Sequence, residues 1–144
     1  MVKESKSVSK ACHSSTRRHS RLLLVDDDPA LLDALSSTID FHLRPSVLDA
    51  CDTGAKALEL AKANSYDAMI VDVNMPNMNG LELLSAVKRL QPHTPVLLIS
   101  AYASEAIMAR AWETGASDFI PKPFDRATFL SAVRHGLQLS QRMD

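Results

Sequence analysis

Five polar side chains stand where apolar runs of this chain end: Asp26, Asp27, Asp72, Ser100 and Lys122. Three carboxylates held close together need a cation, and a set of oxygen ligands without His or Cys favours a hard ion, Mg²⁺ first. A carboxylate beside Mg²⁺ and an ammonium group can attack phosphorus and form an acyl phosphate. We therefore predict that Asp72 is a nucleophile that accepts a phosphoryl group.

The segment that must position Asp72 runs from Tyr66 to Pro76. It is mostly apolar until Asp72 and then passes into a turn rich in Pro and Asn. A strand that is apolar on both faces suits the middle of a parallel sheet, and ligands of open α/β sheets bind at the carboxyl ends of the strands. Asp72 is therefore expected at the edge of the sheet where ligands bind.

Strand and helix patterns alternate five times along the chain. The predicted strands are 21–25, 46–50, a segment ending at Asp72, 95–99 and 117–120. The predicted helix N-caps are Asp28, Thr53, Asn79, Ser104 and Asp125. Such alternation favours a doubly wound α/β fold, a five-stranded parallel sheet with right-handed crossovers and helices on both faces. The polar strand ends then meet at one edge. Trp112, on the fourth helix, is expected to serve packing and not to contact a ligand.

Length and composition indicate one domain preceded by a tail. The 144 residues carry a net charge of −1, which divides into +5 over residues 1–21 and −6 over the rest. We predict a disordered basic tail at 1–20 and a folded domain at 21–144. No apolar run approaches the roughly 20 residues of a membrane span, and no secretory signal is visible. Two cysteines far apart in sequence fit a reducing cytoplasm, where we expect the protein.

From residue 21 to about 139 the sequence resembles a bacterial two-component response regulator receiver domain. The matching motifs are Leu23–Asp27, Asp72–Pro76 with Gly80, Ile99–Ala101 and Lys122–Phe124. The resemblance implies a flavodoxin-like fold with strand order 2-1-3-4-5. It also implies that Mg²⁺ is the cofactor. In that case Asp27 binds the ion directly, Asp26 binds it through water, and Asp72 and the backbone carbonyl of Asn74 contribute as well.

The resemblance further implies how the site responds to phosphorylation. Asp72 is the phospho-acceptor, Lys122 pairs with the phosphoryl group, and the Lys122–Pro123 bond is cis. Ser100 moves toward the phosphoryl oxygens, after which the switch aromatic Phe119 turns inward. The surface of helix 4, strand 5 and helix 5 changes as a result.

The implied partners are a sensor histidine kinase or a histidine phosphotransfer protein as the phosphoryl donor. A homodimer or an output partner would use the helix 4–strand 5–helix 5 surface. The resemblance implies a regulator and not an enzyme, with at most self-phosphorylation from small donors and slow autodephosphorylation.

Two other functions stay open on the sequence. The chain could be a passive receiver-like dimerisation or nucleic-acid-binding module that uses its basic tail. That tail carries no aromatic side chains to stack on bases, which argues against direct nucleic-acid binding. A phosphatase-type enzyme using Asp72 would lack an obvious second acid. Acyl-phosphate labelling of Asp72 discriminates between the phosphorylation switch and the passive module.

Overall fold

The structure is a computed structural model that describes residues 20–143, with the side chains of residues 141–143 excepted. Its strands are β1 (Arg21–Val25), β2 (Val47–Cys51), β3 (Ala68–Asp72), β4 (Val96–Ser100) and β5 (Asp118–Pro121). Its helices are α1 (Pro29–His42), α2 (Gly54–Ala63), α3 (Gly80–Leu90), α4 (Glu105–Thr114) and α5 (Arg126–Met143). The strands and helices alternate as predicted.

The five strands form one sheet in the order β2-β1-β3-β4-β5, with every neighbouring pair parallel. The predicted fold class and strand order are therefore confirmed. Val25 pairs with Val71, Asp72 pairs with Ile99, and Ser100 pairs with Pro121. This register brings the carboxyl ends of four strands level with one another. The polar residues that follow those strands consequently meet at one edge.

Helices cover both faces of the sheet because successive strand side chains point to opposite sides. Leu22 and Leu24 of β1 join the apolar cluster that α1 and α5 complete, whereas Leu23 and Val25 join the cluster under α2, α3 and α4. The central strands β3 and β4 are buried along their whole length. Among the described residues, no helix combines the length and apolar character that crossing a bilayer requires.

Local sequence determines where the helices begin. Asp28 accepts hydrogen bonds from the backbone N–H groups of Ala30 and Leu31 and is followed by Pro29, the arrangement predicted for α1. Asn79 and Glu82 form a reciprocal capping box at α3. The other predicted caps are also confirmed: Thr53 at α2, Ser104 at α4 and Asp125 at α5. Each strand-to-helix connection is thereby held at the edge that carries the site.

The structure corrects several details of the sequence prediction. β2, β4 and β5 each begin one residue later than predicted, because an apolar pattern does not show where ladder pairing starts. Trp112, expected to serve packing, is 46% exposed, so much of its side chain does not pack. The residue of α4 that is buried is its neighbour Ala111.

The boundary with the tail also differs from the prediction by one residue. Ser20, assigned to the tail, is buried, and its carbonyl accepts hydrogen bonds from the N–H groups of Ser46 and Val47. The described fold therefore starts at Ser20. The rest of the predicted tail, residues 1–19, lies outside the described residues.

Candidate functional site

Three carboxylates meet at the carboxyl edge of the sheet. One oxygen atom from each of Asp26, Asp27 and Asp72 lies within 4.8 Å of the others. Asp26 is 1% exposed and Asp72 is 3% exposed, whereas Asp27 faces solvent. The neighbouring strands β1 and β3 end side by side and place them there. The site thus has two buried acids and one acid open to incoming ligands.

Lys122 bridges the two buried acids. Its Nζ atom lies 3.5 Å from Oδ2 of Asp26 and 3.5 Å from Oδ1 of Asp72. The backbone N–H of Lys122 donates to the carbonyl of Ser100 at 2.8 Å, and the Lys122–Pro123 peptide is cis, as predicted. The second oxygen of Asp26 accepts a hydrogen bond from the N–H of Asp28 at 2.9 Å. The loop after β5 therefore brings a positive charge to the carboxylates.

One ammonium group does not neutralise this cluster. Burial, and then the charge of Asp26, raises the pKa of Asp72 from 3.8 to about 6. Lys122 and the backbone N–H of Asn74, which donates to Oδ1 of Asp72 at 3.3 Å, oppose that rise. A further cation would favour the ionised form of Asp72. The donor set is entirely oxygen, so the residues present fit the Mg²⁺ predicted from the sequence.

Gly80 lets the loop after β3 fold back onto the end of that strand. A Cβ atom at this position would lie 2.5 Å from the backbone oxygen of Asp72 and 2.7 Å from Cα of Val73. The N–H of Gly80 donates to the carbonyl of Val73 at 2.9 Å. In the sequence Gly80 was only part of a motif, so this positioning role was missed.

Ser100, at the end of β4, is 0% exposed, and its hydroxyl group has two hydrogen-bond partners. Its hydroxyl donates to Oδ1 of Asn74 at 2.9 Å and accepts from the backbone N–H of Tyr102 at 3.0 Å. The sequence indicated a role for Ser100 and for the backbone carbonyl of Asn74, but gave no sign that their side chains bond to each other.

Phe119, the predicted switch aromatic, is buried in this structure. It is 7% exposed and belongs to the apolar cluster under α2, α3 and α4. The ring is buried while Ser100 bonds to Asn74, and the predicted movement of Phe119 after phosphorylation stays a prediction. A phenyl ring without a hydroxyl group has no polar atom to keep in water, which favours this placement.

Fold and site together define a doubly wound α/β domain with a lysine-bridged acidic pocket at the carboxyl edge of its sheet. Residues 22–134 match the family described as response regulator receiver domain, and the chain belongs to that family. Response regulators are signalling proteins, and their receiver domains are phosphorylated by sensor histidine kinases.

Two curated relatives come from Pseudomonas aeruginosa. The response regulator protein FleR is 39% identical over 118 residues, which cover 81% of this chain and 24% of that protein. The transcriptional activator protein PfeR is 37% identical over 132 residues, covering 86% of this chain and 42% of that protein. The chain thus spans less than half the length of either relative.

Solved structures agree with this fold. A CheY-like receiver domain protein from Methanospirillum hungatei has a TM-score of 0.81 at 26% identity, covering 88% of this chain and 99% of that one. The chemotaxis protein CheY4 of Vibrio cholerae has a TM-score of 0.74 at 28% identity, covering 81% and 98%.

Proposed function

We propose that this chain is a phosphorylation-dependent switch of a two-component system, in which Asp72 accepts a phosphoryl group from a sensor histidine kinase or a histidine phosphotransfer protein. One observation carries the proposal: Lys122 lies 3.5 Å from both buried carboxylates. A third carboxylate, that of Asp27, lies close enough for all three to hold one metal ion. An enclosed acid beside a fixed positive charge suits nucleophilic attack on phosphorus.

In the transfer, an ionised oxygen of Asp72 attacks phosphorus and forms the acyl-phosphate bond. The bond between phosphorus and the donor imidazole nitrogen breaks, and its electron pair stays on that nitrogen. Lys122 offsets negative charge on the phosphoryl oxygens. Asp26, Asp27, Asp72 and the carbonyl of Asn74 would hold Mg²⁺, which supplies further positive charge to those oxygens when bound.

The output follows from the position of Ser100. Its hydroxyl would donate to a phosphoryl oxygen, and the loop from β4 to α4 that starts beside it would move with it. Ser100 pairs with Pro121, and its carbonyl accepts from Lys122, so β5 is coupled to the same movement. The α4–β5–α5 surface then changes and offers a place for a homodimer or an output partner. The free energy of this conformational shift can be no larger than the amount by which the phosphoryl group stabilises the active arrangement over the resting one.

Labelling with a small phosphodonor tests the proposal. The protein is incubated with acetyl phosphate and Mg²⁺, and the intact mass and hydroxylamine sensitivity are measured. We expect one phosphoryl group in the parent protein and in the control Asp40→Asn, which changes an exposed acid of α1. Asp72→Asn should carry none. An unlabelled parent protein, or full labelling of Asp72→Asn, would refute the proposal and leave the passive dimerisation or nucleic-acid-binding module.

A further inference from the structure

We infer that the side chain of Asn74 restrains the switch by holding the only hydroxyl proton of Ser100. This inference rests on the proposed function, because it concerns how Ser100 becomes available to a phosphoryl group on Asp72. Asn74 is a positioning residue here, since its side chain acts through Ser100.

Asn74 and a phosphoryl oxygen compete for the same proton, that of the Ser100 hydroxyl. A hydroxyl group has one proton to donate and two lone pairs to accept with. Ser100 gives its proton to Oδ1 of Asn74 at 2.9 Å and uses a lone pair for the N–H of Tyr102 at 3.0 Å. It can therefore donate to a phosphoryl oxygen only after the bond to Asn74 breaks. Because Ser100 is fully buried, no bulk water competes for that proton in the resting state.

Asn74 is also attached to the acceptor itself. Its backbone N–H donates to Oδ1 of Asp72 at 3.3 Å, so the residue contacts Asp72 through its main chain and Ser100 through its side chain. The restraint is separate from the aromatic side chain at the switch position. Phe119 is already buried while the Asn74–Ser100 bond is intact, so burial of that ring does not require the bond to break.

The side chain of Asn74 can be replaced with little risk to the fold, because the residue is exposed. Asn74→Ala removes the acceptor, and Asn74→Leu removes it while keeping nearly the same shape. Both leave the backbone carbonyl and N–H in place. If the side chain restrains Ser100, both variants should bind a phosphoryl mimic more tightly, by about three- to tenfold, the factor expected for one net neutral hydrogen bond.

The test measures the affinity of beryllofluoride, with Mg²⁺ in excess, by calorimetry. The proteins are the parent chain, Asn74→Ala, Asn74→Leu, Ser100→Ala, and Asn74→Ala combined with Ser100→Ala. In the Ser100→Ala background, Asn74→Ala should change the affinity less than twofold, because no hydroxyl proton remains to be released. Asn64→Ala, at the end of α2 and away from the carboxyl edge of the sheet, serves as the control and should match the parent.

A spectroscopic readout separates restraint from a general structural effect. The amide signal of Tyr102 reports on Ser100, since that N–H donates to its Oγ. In the ligand-free Asn74 variants this signal should move toward its position in the beryllofluoride-bound parent protein. Unchanged or weaker affinity in both Asn74 variants, or a gain that persists without the Ser100 hydroxyl, would overturn the inference. A parent protein that binds no beryllofluoride would overturn the proposed function, and this inference with it.

Discussion

A Cβ atom added to Gly80 would lie 2.5 Å from the backbone carbonyl oxygen of Asp72. The obstructing atom belongs to the main chain at the end of β3, so it cannot rotate away as a flexible side chain could. Gly80→Ala must therefore displace either the first turn of α3 or the strand end that carries the acceptor. We expect a loss of about 1–3 kcal/mol in the free energy of unfolding in urea, the usual cost of overpacking. Labelling of Asp72 by acetyl phosphate should also slow.

Gly136 in α5 offers the matched control for that substitution. A Cβ atom there would lie 3.0 Å from Leu97 Cδ1, the end of a side chain. Alanine also gains up to about 1 kcal/mol over glycine inside a helix, which offsets the contact. Gly136→Ala should thus cost less stability than Gly80→Ala and leave the labelling rate unchanged. Equal losses of stability and labelling in the two variants would contradict a specific role for Gly80.

Replacing Lys122 should raise the Mg²⁺ affinity and lower the rate of Asp72 labelling. In Lys122→Met the ammonium group 3.5 Å from Asp26 and Asp72 is lost. Mg²⁺ should bind more tightly, on the order of tenfold, because a competing positive charge has gone. Labelling of Asp72 should slow by about 100-fold, because the phosphoryl oxygens lose a charged partner. Calorimetry with Mg²⁺ and labelling kinetics measure the two effects.

Lys56→Met is the control for that experiment. Lys56 pairs with Asp52 at 3.0 Å on the exposed surface of α2, where ion pairs contribute little. Neither the Mg²⁺ affinity nor the labelling rate should change in this variant. Should Lys122→Met weaken Mg²⁺ binding and labelling together, its role would be to hold the loop in place and not to supply charge.

The residues of the site could be predicted because topology alone brings them together. Asp26 and Lys122 follow strands at opposite ends of the chain, yet parallel strands must end at the same edge. Helix caps such as Asn79 were predictable for a local reason, since the residues that form the bonds are three positions apart.

What the sequence could not supply are contacts that depend on side-chain rotamers. The bond between Asn74 and Ser100 joins two side chains 26 positions apart, and neither residue type requires the other. The burial of Phe119 depends on how its ring packs in the cluster that includes Ala111 of α4, which a hydrophobic periodicity does not predict. The exposure of Trp112 was missed for a related reason: α4 buries little more than Ala111, so being apolar on that helix did not imply burial.

The raised pKa of Asp72 predicts how stability changes with pH. Burial and the charge of Asp26 raise this pKa from 3.8 to about 6 in the folded protein. The folded state then holds the proton more tightly than the unfolded state, so Asp72 favours folding at low pH. That contribution is fully present below about pH 4 and is lost as the pH rises through about 6.

Asp72→Asn removes this titration and should reveal it. In metal-free buffer with EDTA, the variant should match the parent protein at about pH 4 and be more stable by about 1–3 kcal/mol above pH 6. Urea unfolding at intervals across that range measures the difference, with the exposed Asp40→Asn as a control whose difference from the parent stays flat. Mg²⁺ added at pH 7 should reduce this difference in stability between the variant and the parent protein, because Mg²⁺ binds the folded parent protein through the ionised Asp72. A gap that is constant with pH, or that widens below pH 4, would show that Asp72 does not carry the uncompensated charge of the cluster.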